Sequence, residues 1–276
     1  MKIARILDKY YCIMQDKAFE IKSFSIQDLL NREKLILIEK YCNENKDLGI
    51  NLPQMLDPPV YPSKLLAVGL NYADHARETG QKIPEAPVFF QKATTSVIGH
   101  MHPIIYPRIV KELDYEAELA VVIGRRGKYI EKEDAINYVA GFTIMNDVSA
   151  RDHQFKYERQ WFLGKSFDTF APLGPWIVDK FSIGDHNKLS IKTEVNGEIR
   201  QNSNTSNLIF KVEDLINFVS QAMTLEPGDI ISTGTPGGVG FVRKPPTLLK
   251  VGDVVSIEIE NIGILKNTVI EEKIAK

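Results

Sequence analysis

Apolar positions along most of the chain come in short runs and in alternations of period two. That is the spacing of strands, not of helices. The segments LLAVGL (65–70), ELAVVIG (118–124), YVAGFTIMNDV (138–148), LSIKTEVNGEIRQ (189–201), DIISTGT (229–235) and DVVSIEIENIGILKNTVI (253–270) all predict strands. Asn196-Gly197 lies between two alternating runs and predicts a tight hairpin. The EPGD and KVGD clusters predict turns, each leading into a strand. Helices are predicted near 72–79, 149–162 and 211–223. Residues 1–57 read differently: two short strands, then one helical segment over 25–49, which Ser25 can cap and Gly49 can end. Pro58, Pro59 and Pro62 make a stiff connector after it. The expectation is an α+β fold dominated by mixed β-structure, with a small N-terminal α/β domain (1–57) and a larger domain (58–276).

Composition narrows the class. The chain has 276 residues, 43% hydrophobic and 25% charged, the proportions of a soluble globular protein with a sizeable core. A formal net charge of -2 with no basic half argues against a nucleic-acid partner. Cys12 and Cys42 stand in no metal or redox spacing, which fits a reducing compartment. No apolar run is long enough to span a bilayer, and MKIARILDKYYC lacks the apolar stretch of a signal peptide. A cytoplasmic location, with neither membrane nor nucleic acid as partner, is expected.

The chemistry begins at ELDYEAELAVVIG. Asp114, Glu116 and Glu118 alternate and would share a strand face with Ala120 and Val122. Acidic residues at a solvated sheet rim would explain Asp114 alone. They explain Glu116 and Glu118 poorly, because desolvating an unpaired charge costs several kcal/mol. A cation resolves the conflict. Carboxylate ligands suit a hard ion, Mg²⁺, Mn²⁺ or Ca²⁺, rather than zinc. Asp147, closing the apolar run GFTIMN, is placed to bring a third carboxylate from a neighbouring strand end.

In NYADHARE, His75 and Glu78 are three apart and share a helical face; Asn71 can cap that helix and Gly80 end it. The pair is either an incidental surface contact or a histidine oriented to move a proton near neutral pH. Lys165, in LGKSF, invites a phosphate-loop reading that fails, because the required first glycine is Arg159. It can instead hold a ligand carboxylate or an oxyanion. Arg151 can serve an anion or pair with Asp147 or Asp152. STGTPGGVG is a tight loop that can also bind an anion through Thr235 and backbone N–H groups. His100 and His102 read as a loop pair, His153 and His186 as surface residues, and Trp161 and Trp176 as packing residues. No G-x-S-x-G elbow supports a serine hydrolase.

Seven segments, LLAVGLNYADHARE, DYEAELAVVIG, GFTIMNDVSARDHQ, FLGKSFDTFAPLGP, VNGEIRQ, TGTPGGVG and VGDVVSIEIENIG, occur in the order found in the fumarylacetoacetate hydrolase family, which the chain resembles from about residue 58 onward. The resemblance implies a mixed β-roll, usually a homodimer. It also implies a divalent metal on Glu116, Glu118 and Asp147, a water- or proton-handling His75–Glu78 dyad, and substrate contacts from Gln154, Lys165 and Thr235. The implied activity is that of a metal enzyme on a small 2-oxo or β-diketo acid, passing through an enolate. C–C bond hydrolysis or decarboxylation is the first expectation. A tautomerase or isomerase is the alternative, and a non-catalytic metal-dependent binding protein the alternative of another class.

Overall fold

The computed structural model describes residues 1–155 and 160–273. The period-two runs become strands. The larger sheet runs Lys17–Glu20, Lys9–Met14, Lys2–Ile6, Ala171–Asp179, Val139–Asn146, Ala117–Ile123, Ile230–Ser232, Leu65–Gly69 and Val88–Lys92, with short additions at Ile50–Asn51 and Val97–Ile98. It is mixed: Ile230–Ser232 pairs parallel with Leu65–Gly69 and antiparallel with Ala117–Ile123. A second sheet orders Glu198–Asn204, Ser190–Val195, Val254–Ile259, Gly263–Glu271 and Ile104–Tyr106. Neither closes on itself, so the α+β architecture is sheet-dominated without a barrel. The hairpin forms at Asn196-Gly197, both with positive φ, as a tight two-residue turn requires.

Ala117–Ile123 is buried at every position, which explains an apolar run that hardly alternates. Leu119, Val121 and Ile123 join the main core with Ile191, Ile257 and Leu265 of the second sheet. Ala120 and Val122 point to the other face, into a second core with Ile3, Leu29, Leu35 and Ile177. The N-terminal strands continue the larger sheet, since Lys2–Ile6 pairs antiparallel with Ala171–Asp179.

Three local expectations change. The 25–49 segment is interrupted at Asn31, whose side chain caps the helix Arg32–Glu44 by accepting from the Lys34 N–H at 3.1 Å. A 3-10 turn, Ile26–Leu30, precedes it and another, Lys46–Leu48, follows. Asn71 does not cap the helix Ala73–Thr79. Its amide instead ties the Thr233 and Phe210 carbonyls together at 2.8 and 3.0 Å. The helix expected over 149–162 begins as a strand, Ser149–Ala150, continues as Arg151–Phe155 and resumes at Trp161–Lys165; its 156–159 portion lies outside the described residues.

Candidate metal centre and active site

The centre sits where Ala117–Ile123 begins and its antiparallel neighbour Val139–Asn146 ends. Ala117 pairs with Asn146, so the residues just outside the ladder, Glu116 and Asp147, meet. The Asp147 N–H donates to the Glu116 carbonyl at 2.9 Å, and the Glu116 N–H to Asn146 Oδ1 at 3.0 Å. Glu116, Glu118 and Asp147 are all buried, each with a carboxylate oxygen within 4.8 Å of the others.

Asp114 does not share that face. It belongs to a separate two-stranded pair with Ser149. Its carboxylate accepts from the Gly240 and Phe241 N–H groups and from Arg151 Nε at 2.8, 3.1 and 2.9 Å. Arg151 therefore pairs with Asp114 and, through Nη1 at 2.7 Å, with Glu116, and with neither of the partners expected for it.

Lys165 Nζ bridges Glu116 Oε2 and Asp147 Oδ2, at 2.8 Å to each. Its placement depends on Gly164, where a Cβ would come within 2.6 Å of the Gln154 backbone; the glycine lets the two short helices touch. Lys92, fully buried, binds the other Asp147 oxygen and the Val148 carbonyl. Four carboxylates thus face three fixed cations. Burial alone would raise the Glu116 carboxyl, but Lys165 and Arg151 outweigh it and hold the group down to about 2. Glu118 goes the other way: burial, then the Asp147 and Glu116 charges, push it well above the ordinary carboxylate range. Its Oε2 accepts from Ser232 Oγ at 2.5 Å and from the Gly234 N–H at 3.0 Å. The donor set fits a hard divalent ion: oxygen only, close-set, and already bridged by an ammonium where positive charge is favoured.

A cavity of about 70 Å³ opens on this cluster. His75, Glu116, Gln154, Lys165 and Thr235 line it, beside an aromatic wall that includes Phe90, Trp161 and Phe241. Phe90 and Trp161 meet edge to face with centroids 5.5 Å apart. Glu118 and Asp147 lie behind Glu116. Glu78 lies behind His75, its Oε2 3.4 Å from Nδ1, and both its oxygens accept from the Gly238 N–H at 2.9 and 3.1 Å. Burial opposes ionisation of Glu78, but its bonds to His75 and Gly238 win and lower its pKa.

Residues 64–270 match the family model "Fumarylacetoacetate (FAA) hydrolase C-terminal". The chain belongs to the fumarylacetoacetate hydrolase family. It is 53% identical over 215 residues to a Rattus norvegicus protein, "Oxaloacetate tautomerase Fahd2a, mitochondrial", covering 78% of this chain and 69% of the relative. Among solved structures it resembles 5-carboxymethyl-2-hydroxymuconate delta-isomerase from Mycobacterium smegmatis, with TM-score 0.80, 38% identity, 99% of this chain and 100% of that one covered. It also resembles a fumarylacetoacetate hydrolase from Exiguobacterium antarcticum, with TM-score 0.83, 35% identity and the same coverage. The family therefore carries isomerase, tautomerase and hydrolase chemistry on one fold, and this member has the makings of an enzyme.

Two residues bonded into or beside this cluster escaped sequence reasoning. Lys92 ends an ordinary strand, Val88–Lys92, and its acidic partner lies far away in the sequence. Gln201 ends VNGEIRQ, a segment that reads only as a hairpin strand and its turn. His186, expected at the surface, instead stacks on Phe142 at 5.0 Å and pairs with Glu213 at 2.9 Å. His153 is also partly covered, against Phe167.

Proposed function

We propose that the chain is a divalent-metal-dependent tautomerase or isomerase of a small 2-oxo acid, with oxaloacetate the first candidate substrate. This takes up the alternative raised from the sequence in place of C–C bond hydrolysis or decarboxylation. The observation that carries it is one cavity joining His75, a group able to move a proton, to a buried carboxylate set suited to a divalent ion, with Lys165 and Arg151 beside it. The 53% identity to an oxaloacetate tautomerase directs the choice of substrate.

A divalent ion on Glu116, Glu118 and Asp147 would supply Lewis-acid stabilisation of negative charge on the 2-oxo group. The rest falls to side chains. With a divalent ion held there, Lys165, Arg151 and Lys92 would bring the four carboxylates to the net positive charge that a dicarboxylate needs, and Gln154, bonded to Arg151 at 3.0 Å, keeps the guanidinium in place. His75 Nδ1 faces Glu78, which leaves Nε2 for the substrate. From there it can remove a proton from the carbon next to the keto group; protonation at oxygen gives the enol. The reverse sequence gives the ketone. No bond between carbons breaks and no water is consumed. The aromatic wall limits solvent access to the enolate.

Decay of enol-oxaloacetate absorbance tests this reading, followed with Mg²⁺, with Mn²⁺ and with EDTA, beside a coupled assay for pyruvate. The expected result is metal-dependent acceleration without matching pyruvate. Pyruvate formed at the same rate would make the chain a decarboxylase. Inertness toward oxaloacetate, with cleavage of an acylpyruvate, would make it a hydrolase.

A further inference from the structure

Gln201 is 1% exposed, whereas Ile199, two residues before it, is 53% exposed. Strict alternation would put both on one face. They part because the ladder slips after the hairpin: Glu194 faces Ile199 but Thr193 faces Gln201, leaving Arg200 as an extra residue. The bulge turns Gln201 inward, toward the larger sheet.

There its amide is fully used. Oε1 accepts from the Ala117 N–H at 3.0 Å and from Thr193 Oγ1 at 2.8 Å. Nε2 donates to Thr235 Oγ1 at 2.8 Å and to the Pro236 carbonyl at 2.9 Å. The amide cannot be turned over, because a backbone N–H only donates and a backbone carbonyl only accepts. Thr235 Oγ1 is therefore the acceptor in its bond with Gln201, and its own proton must go elsewhere. Among the described residues nothing accepts that proton, and Thr235 lines the cavity.

We propose that Gln201 is a positioning residue: it fixes the Thr235 hydroxyl as a hydrogen-bond donor aimed at the substrate's carboxylate, and it ties that donor to the metal-ligand strand through Ala117, which lies between Glu116 and Glu118. This rests on reading the cavity as the oxo-acid site. Gln201 touches no substrate; it acts through Thr235. A threonine without this partner can rotate and offer a lone pair to the anion. With Gln201 in place, one lone pair is taken and the proton is left free to face inward.

The test is a double-mutant cycle read by calorimetric binding of oxalate, a non-reacting planar dianion, to Mg²⁺-loaded protein, with Tm recorded for each variant. Thr235→Val should weaken oxalate about tenfold or more, the size of one hydrogen bond to a charged acceptor. Gln201→Met should weaken it similarly, and the double variant no further than Thr235→Val alone. Gln201→Glu keeps the side-chain length if removing the amide disturbs folding. At mildly alkaline pH it should weaken oxalate at least as much, since the introduced carboxylate pulls the hydroxyl proton away from the ligand. A purely structural Gln201 would lower Tm yet leave oxalate affinity within about twofold of wild type, or combine additively with Thr235→Val; either result overturns the proposal. Wild-type protein that binds oxalate and converts enol-oxaloacetate, combined with a neutral Thr235→Val, also overturns it while the proposed function stands. Wild-type protein that does neither removes both.

Discussion

At the scale of single residues, the cluster holds two carboxyls with opposite tendencies. Glu116, held near 2, stabilises the fold fully above its ordinary value of 4.5, and that contribution is lost as pH falls toward 2. Glu118 is raised, so the folded chain binds its proton more tightly than the unfolded chain does. Its contribution is present at low pH and is lost as pH rises through the raised value. A metal ion must displace that proton, so Mg²⁺ affinity should increase with pH and binding should release protons. Calorimetry in buffers of different ionisation heat measures both. Glu118→Gln should remove the pH dependence and weaken Mg²⁺ sharply; Glu116→Gln should weaken it at every pH. Wild-type Mg²⁺ affinity in either variant would sink the ligand assignment. The dyad gives a separable prediction. His75→Ala should lower kcat by about 10²–10⁴, the range for a positioned acid or base, and Glu78→Gln should lower it less. Mg²⁺ affinity should hardly change in either, so a kcat loss matched by a Mg²⁺ loss would contradict the division of roles.

Among elements, what could be read from the sequence follows from how local each signal is. The Ala117–Ile123 strand, the Glu116–Glu118 pair and the Asn196-Gly197 turn are written in neighbouring residues; Asp147 is not, and its place at the end of an apolar strand was the only local sign that it would join them, as it does. Asp114 looked like part of the same row because nothing local marks the break between Leu113–Asp114 and Ala117–Ile123. Lys92 could not be found, because its partner Asp147 is supplied by the fold. Gln201 was hidden by the bulge, which reverses the face that alternation assigns. The glycine loop is the element most open to test. Gly238 has φ +101, and a Cβ there would lie 2.2 Å from the Arg200 carbonyl. Gly238→Ala should lower stability by about 2 kcal/mol or more. It should also loosen the N–H that holds Glu78, so kcat should fall beyond what the stability loss explains. A variant with wild-type Tm and kcat would show that the loop tolerates the change and that Glu78 does not depend on it.

For the whole molecule, residues 1–57 and the family region share a sheet and a core: Lys2–Ile6 pairs with Ala171–Asp179, and Ile3, Leu29 and Leu35 pack with Val122 and Ile177. Residues 58–276 alone should therefore expose a long unpaired edge and an apolar face, and melt about 10 °C or more lower, or aggregate. Unchanged Tm and enol turnover in the truncated chain would instead establish an independent catalytic domain. The same sheet gives the site its rigidity, since the Ala117–Ile123 strand has a core on both faces and cannot shift without moving both. On that frame the central claim concerns one proton, moved at the carbon beside a keto group while the carbon skeleton stays whole. Proton NMR of oxaloacetate in D₂O, with Mg²⁺-loaded protein, tests it most directly. The account predicts deuterium entering at C3 faster than in protein-free or EDTA-treated samples, with the four-carbon skeleton intact and the acceleration lost in His75→Ala. Exchange no faster than the protein-free rate, or pyruvate accumulating as fast as deuterium enters, would contradict it.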